Sequence, residues 1–182
     1  MKDPIVWSVG LAKFALAGFI TLLFRLVTPL LGLPNVAPLM ATELAGARAY
    51  GPWVAGLYGF LGMIMLDACT NALGPWTIAT SICYAIVGVA GGYYLKNRPI
   101  TVRHYVGASV VGTLFFDLVT GVLLAPIHGT PLSVAAIGQI PFTLWHLAGN
   151  SFFALFAPWF FRSVIGNCSL ELRLIGLPNF RV

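Results

Sequence analysis

The chain has 182 residues, of which 59% are hydrophobic and 8% are charged, and its net charge is +5 at pH 7. Soluble domains carry about 25% charged residues, so this composition excludes a soluble globular protein and predicts that most of the surface faces lipid. The length excludes a soluble catalytic domain beside a membrane domain, and we expect any binding or chemistry to occur within the bilayer or at its two faces.

Punctuation by proline, glycine and charge divides the chain into six apolar segments, and a helix needs about 20 apolar residues to cross the hydrocarbon core. The sequence therefore predicts an all-α integral membrane bundle of about six transmembrane helices, with residues 1–182 forming a single transmembrane domain. The first segment lacks a small-residue cleavage site, so we expect a retained helix and not a signal peptide. The predicted helices are 5–27, 36–50, 52–68, 74–95, 103–125 and 132–161.

The second predicted helix is the least regular of the six. It is short, it contains Glu43 and Arg48, and Gly51-Pro52 separates it from the third. We expect this segment to span the membrane. A tilted or only partly inserted helix is the alternative.

The basic residues lie between the apolar segments and not in one cluster, which indicates membrane topology and not a nucleic-acid partner. If both termini lie in the cytoplasm, nine of the ten Lys and Arg residues fall on the inner side, and Arg25 is the exception. An odd number of spans would mix these charges between the two sides. The sequence therefore predicts six spans with both termini inside.

Three charged residues lie near the outer ends of predicted helices 1, 3 and 5. They are Arg25, Asp67 and Asp117, and each is followed three residues later by a threonine. A helix dipole disfavours an anion at a C-terminus, so the two carboxylates need compensation, and Arg25 is the nearest predicted cation. This group either ties the three helices together or borders an outward-facing polar cavity, and both roles are compatible.

The last predicted helix carries a polar stripe. Gln139, Thr143, His146 and Asn150 are spaced four, three and four residues apart and so lie on one helical face, which in lipid must face protein or water. Hydrogen bonds between helices are one interpretation. For His146 and Asn150 we favour a lined cavity, because both are bulky polar groups in an apolar segment.

Two further polar features belong to the predicted outer loops. Trp76 follows Gly74-Pro75 and either anchors the chain at the membrane interface, the more usual role, or stacks on a flat ligand. His128 lies in a loop shaped by glycine and proline. His128, His146, Asp67 and Asp117 do not have the spacing of a metal-ligand motif, and we expect no metal and no cofactor.

The common catalytic signatures are absent. The chain has no HExxH, GxSxG or Walker A sequence, so the usual metalloprotease, hydrolase and nucleotide-hydrolysing sites are excluded. A protein of this kind has no energy source of its own.

Several segments resemble the substrate-binding S components of energy-coupling-factor (ECF) vitamin transporters, and size, six spans and cytoplasmic termini agree with that family over nearly the whole chain. The segments that carry the resemblance are 34–38, 48–52, Asp67 with 74–77, the glycine-rich end of 74–95, 116–120, and 138–142 with His146 and Asn150.

That resemblance implies an ECF S-component-like fold and a high-affinity binding protein for a vitamin or related micronutrient in a prokaryotic cytoplasmic membrane. It also implies a transmembrane coupling subunit and two cytoplasmic ATPases as partners. In the family, an alanine patch on the first helix contacts the coupling subunit. Ala12, Ala15 and Ala17 have this spacing here, although Lys13 stands where the family has an apolar residue.

We expect eight residues to contribute to a substrate cavity. An intramembrane enzyme using His146 with Asp67 or Asp117 is an alternative, and so is a membrane assembly subunit that binds no ligand. The eight residues are Arg25, Asn35, Asp67, Trp76, Asp117, His128, His146 and Asn150.

Overall fold

A computed structural model describes residues 4–32 and 36–165, and these residues form helices and connections without a β-strand. Proline starts three of the six α-helices in these two ranges, where its missing N–H is not needed for helix hydrogen bonds. The helices are α1 (Pro4–Val27), α2 (Leu39–Tyr50), α3 (Pro52–Cys69), α4 (Pro75–Leu95), α5 (Val102–Asp117) and α6 (Leu132–Phe160).

Within the described ranges, four segments are long and apolar enough to cross a membrane: Ser8–Val27, Pro52–Cys69, Pro75–Leu95 and Val102–His128. The described part of the chain is thus all-α, with the helices of a membrane bundle, as the composition predicts. α6 is not among the four, although its 29 residues extend about 43 Å, because its polar stripe lowers its hydropathy. Six complete spans remain a prediction.

The α2 helix differs most from its predicted form. It begins at Leu39 and has 12 residues, so it is about 18 Å long, well short of the roughly 30 Å hydrocarbon core. Ten of its residues are buried, and Met40, Glu43 and Leu44 are completely inaccessible. α2 is therefore the internal helix around which the longer helices pack.

Glycines allow α3 and α4 to pack at very short range. A Cβ atom added at Gly88 would lie 2.8 Å from the backbone of Ala55 and of Gly56, so only glycine fits there. Gly51, with a φ of 97°, makes the break between α2 and α3 that the sequence predicts. The Glu43 side chain of α2 lies against the seam between α3 and α4, next to Gly59 and Gly88.

The fifth helix changes its hydrogen-bonding pattern at its outer end. α5 stops at Asp117, and a π-helical turn (Leu118–Leu123) and a 3₁₀ turn (Ala125–His128) follow. The sequence predicts one helix over 103–125, and the structure instead widens its last turns. Such π-helical turns are often found at functional sites.

Candidate functional site

A cavity of about 560 Å³ lies at the end of the bundle where α1 and α3 end and α4 and α6 begin. This volume falls within the range of small-molecule sites, roughly 300–1,000 Å³. Its wall combines charged, hydroxyl, amide and aromatic side chains with a few aliphatic ones. The residues with polar or aromatic side chains are Arg25, Asp67, Trp76, Thr80, Tyr84, Phe116, Thr120, His128, Gln139, Phe142 and His146.

On one side of the cavity, Asp67 is fixed by the start of α4. The short α3–α4 connection brings Thr77 to it, and the Thr77 hydroxyl donates a hydrogen bond of 2.6 Å to Oδ2 of Asp67. The same hydroxyl accepts a bond of 3.1 Å from the backbone N–H of Gly74. Arg25, near the end of α1, lines the same cavity and is an electrostatic neighbour of Asp67. The wall here therefore presents both a cation and an oriented carboxyl group.

On the other side, Asp117 and His146 form a buried pair. Nδ1 of His146 lies 2.8 Å from Oδ1 of Asp117, and the two residues are 4% and 1% exposed. The rings of Phe116 and Phe142 meet the imidazole at steep angles, with centroids 5.8 Å and 5.4 Å away. His146 reaches the cavity, whereas Asp117 lies behind it and sets the position of the ring.

The polar stripe of α6 continues inward from His146 to Asn150. The Asn150 amide donates a hydrogen bond of 2.9 Å to the Thr113 hydroxyl, which itself donates to the carbonyl of Ser109 at 2.8 Å. Asn150 is 4% exposed; it does not line the large cavity but borders a small recess that shares Arg25 and Tyr84 with it. At this depth the stripe joins α5 to α6, which is the interhelical interpretation.

The mouth of the cavity is bordered by Trp76 and His128. Their rings meet edge to face with centroids 6.5 Å apart, and Trp76 is half exposed. His128 ends the 3₁₀ turn after α5, and Gly129 follows with a φ of 77°. Two distant parts of the chain thus meet at the cavity entrance through aromatic rings.

The structure brings together five of the eight residues expected from the sequence: Arg25, Asp67, Trp76, His128 and His146. Asp117 lies behind the wall, and Asn150 borders the small recess that shares Arg25 and Tyr84 with the cavity. Asn35 lies outside the described residues.

The proposed docking alanines are not equivalent on α1. Ala12 and Ala15 are exposed, whereas Ala17 is 8% exposed and faces neighbouring helices.

Sequence reasoning missed the aromatic and aliphatic part of the wall, including Phe116, Phe142 and Met63. Apolar side chains in a membrane helix look alike whether they face lipid or a cavity, so their pattern carries little information. Their proximity along the chain was the usable signal: Phe116 precedes Asp117, and Phe142 lies one turn before His146.

Within residues 4–32 and 36–165, no three His, Cys, Asp or Glu side chains form a group able to hold a metal ion. No protein-family model matches the chain, and no curated protein and no solved structure matches it. Its function is therefore inferred from the residues of the site.

Proposed function

We propose that the chain is the substrate-binding membrane subunit of an ECF-type uptake transporter, and that it captures a vitamin or related micronutrient in an outward-facing cavity. The observation that carries the proposal is the cavity of about 560 Å³ at one end of the helical bundle. Small-molecule sites combine an apolar wall with a few convergent polar groups, and this wall has that composition.

The polar groups of the cavity have complementary tasks in this proposal. Arg25 binds an anionic group of the ligand, and Asp67 accepts a hydrogen bond from a ligand N–H or O–H. Trp76 and Phe142 pack against the flat part of the ligand. His146 is held by Asp117 and offers its other ring nitrogen to the ligand.

The energy for uptake comes from partner subunits, because the sequence has no Walker A motif. The partners are a transmembrane coupling subunit and two cytoplasmic ATPases. Small residues let another helix approach closely, so the exposed Ala12 and Ala15 are the docking positions on α1. Ala17 supports this face from the inside.

The proposed membrane arrangement follows the positive-inside rule. Six spans place both termini in the cytoplasm of a prokaryotic cell, and the cavity then opens away from the cytosol. The cavity end contains Arg25, whereas the α4–α5 connection at the opposite end contains Lys96 and Arg98.

Native mass spectrometry of the full chain purified from its own host tests the proposal. We expect a retained small molecule and copurifying coupling and ATPase subunits, and we expect the identified molecule to raise the unfolding temperature of the purified chain. Ligand at 100 times its dissociation constant adds about 2.7 kcal/mol of stability. If no small molecule is retained and the unfolding temperature is unchanged by a vitamin panel, the binding function is rejected.

A second candidate is an intramembrane enzyme, which the 2.8 Å contact between His146 and Asp117 favours. An imidazole oriented by a carboxylate is the arrangement of a general base. An enzyme would convert the retained molecule in the absence of the ATPases. Recovery of that molecule unchanged after incubation with the purified chain would reject this candidate. An assembly subunit that binds nothing would show neither retention nor turnover.

A further inference from the structure

A second recess, separate from the polar cavity, lies between α4 and α5. It is an apolar groove of about 440 Å³. Ile86, Val111 and Phe115 form part of its wall, and Val111 is 68% exposed. A Cβ atom added at Gly107 would meet open space, so this glycine leaves the groove unfilled. Both helices belong to segments able to cross a membrane, and the groove therefore faces the bilayer interior.

The length of the groove is close to the hydrocarbon thickness of one lipid leaflet. Its residues run from 86 to 94 on α4 and from 107 to 115 on α5, about 12 Å along each helix. Half of a hydrocarbon core of about 30 Å is roughly 15 Å. A partner transmembrane helix would contact these helices over the whole core, whereas an acyl chain enters from one leaflet. The length of the groove therefore favours an acyl chain.

The groove ends in a basic cluster. Tyr94 lines the groove at the end nearest the α4–α5 connection, with the Arg98 guanidinium 4.8 Å from its ring centroid. The Tyr94 hydroxyl lies 3.1 Å from Nδ1 of His104. Residues 94–107 contain Lys96, Arg98 and Arg103 but no Asp or Glu. The net positive charge of this segment therefore favours binding of an anion that the segment itself does not supply.

Two hydrogen bonds from side chains of other helical regions hold the α4–α5 connection, which carries this charge. The Arg48 guanidinium donates to the carbonyl of Lys96, and Nη2 of Arg162 donates to the carbonyl of Ile100 at 2.8 Å. The backbone between α4 and α5 is held from two other helical regions. The backbone that carries these basic side chains is therefore held in place beside the groove.

We propose that this groove and its basic end form a binding site for one anionic phospholipid. One acyl chain occupies the groove, and the phosphate lies beside Arg98 and Arg103 at the membrane surface. Basic residues beside a membrane attract anionic headgroups, and the groove adds the contact area of an acyl chain. The site is separate from the polar cavity and does not depend on the proposed transport function.

Native mass spectrometry with defined lipids tests the site. The full chain in detergent is mixed with phosphatidylglycerol or with phosphatidylcholine of the same acyl chains, and the occupancy of the first lipid is measured. We expect wild type to retain phosphatidylglycerol preferentially. The double variant Arg98→Gln/Arg103→Gln should weaken its retention by about fivefold per charge removed, since each basic residue contributes about 1 kcal/mol. Lys13→Gln, a basic residue on α1, should leave retention unchanged.

The groove itself is tested with Gly107→Leu, whose added Cβ atom meets open space. The matched control is Gly138→Leu on α6, where an added Cβ atom also meets open space. We expect lower retention of both lipids in Gly107→Leu alone. Equal retention of the two lipids by wild type would overturn the headgroup assignment. Equal retention by the two leucine variants, or a protein dimer that Gly107→Leu dissociates, would overturn the acyl-chain assignment.

Discussion

Nδ1 of His146 and Oδ1 of Asp117 lie 2.8 Å apart in a part of the bundle where both side chains are almost inaccessible. The contact joins α6 to the end of α5, at the residue where the α-helix gives way to a π-helical turn. The second oxygen of Asp117 has no hydrogen-bond partner among the described residues. The pair therefore has two roles: it holds α5 and α6 together, and it positions the His146 side chain in the cavity.

We expect Asp117→Ala to destabilise the protein strongly, because it leaves the imidazole without its buried partner. Breaking one side of a buried pair costs about 3–5 kcal/mol. Asp117→Asn keeps an acceptor for the ring and should cost less. Thermal unfolding in detergent measures both, together with His146→Ala and the double alanine variant. Additive losses from the two single alanine variants would show that the pair is not coupled.

Glu43 is completely buried, and both oxygens of its carboxyl group lack a hydrogen-bond partner among the described residues. A buried, unpartnered carboxylate is costly, so the isosteric Glu43→Gln should fold with equal or higher stability. A decrease in its unfolding temperature below that of wild type would contradict this expectation.

The glycine beside that carboxyl group should be essential as long as Glu43 is present. An added Cβ atom at Gly59 would collide with Oε1 of Glu43, so we expect Gly59→Ala to cost about 1–3 kcal/mol, as overpacking does. Gly59→Ala combined with Glu43→Ala should recover part of this loss. Gly62→Ala is the control, because its Cβ atom meets only the end of the Leu39 side chain at 3.3 Å. Equal losses in the two glycine variants would contradict the proposed collision.

The hydrogen bond from Thr77 to Asp67 should orient the cavity carboxyl group. Thr77→Val removes the 2.6 Å bond to Asp67 and the bond accepted from Gly74 with little change in shape, and hydrogen bonds to charged groups contribute about 1.5–3 kcal/mol. We expect lower stability and weaker binding of the retained ligand. Thr70→Val is the matched control, since that hydroxyl lies outside the cavity and bonds to the carbonyls of Leu66 and Asp67 in the preceding turn. The prediction fails if both valine variants behave alike.

The aromatic wall should contribute to ligand affinity with little effect on folding. Trp76 is a half-exposed residue at the mouth of the cavity. We expect Trp76→Ala to weaken binding of the retained ligand by tenfold or more, about 1.4 kcal/mol. Trp159→Ala, an exposed residue of α6 outside the cavity, is the control. Titration by thermal shift or calorimetry measures both. Unchanged affinity in Trp76→Ala and in the alanine variants of Arg25, Asp67, His128 and His146 would remove the site assignment.

Punctuation and composition were enough to predict most helix positions. Pro52 and Pro75 start α3 and α4, and Gly51 breaks the chain between α2 and α3. Proline fixes φ and lacks an N–H, so its effect is local and readable from the sequence. The predicted end of the fifth helix differs, because the π-helical turn at Leu118 depends on how that segment packs against α6.

The sequence by itself determined that most of the protein surface faces lipid, because 8% charged residues cannot cover a water-exposed surface. It also determined the polar face of α6, since helical spacing is a local property. Only the tertiary structure decided that α2 is buried among the other helices. It also decided that Asp117 pairs with His146 and that Asn150 bonds to Thr113. The same holds for the positions of Phe116 and Phe142 in the cavity wall. These outcomes depend on which helix faces meet across the bundle, and residues distant in the chain carry no local signal of that meeting.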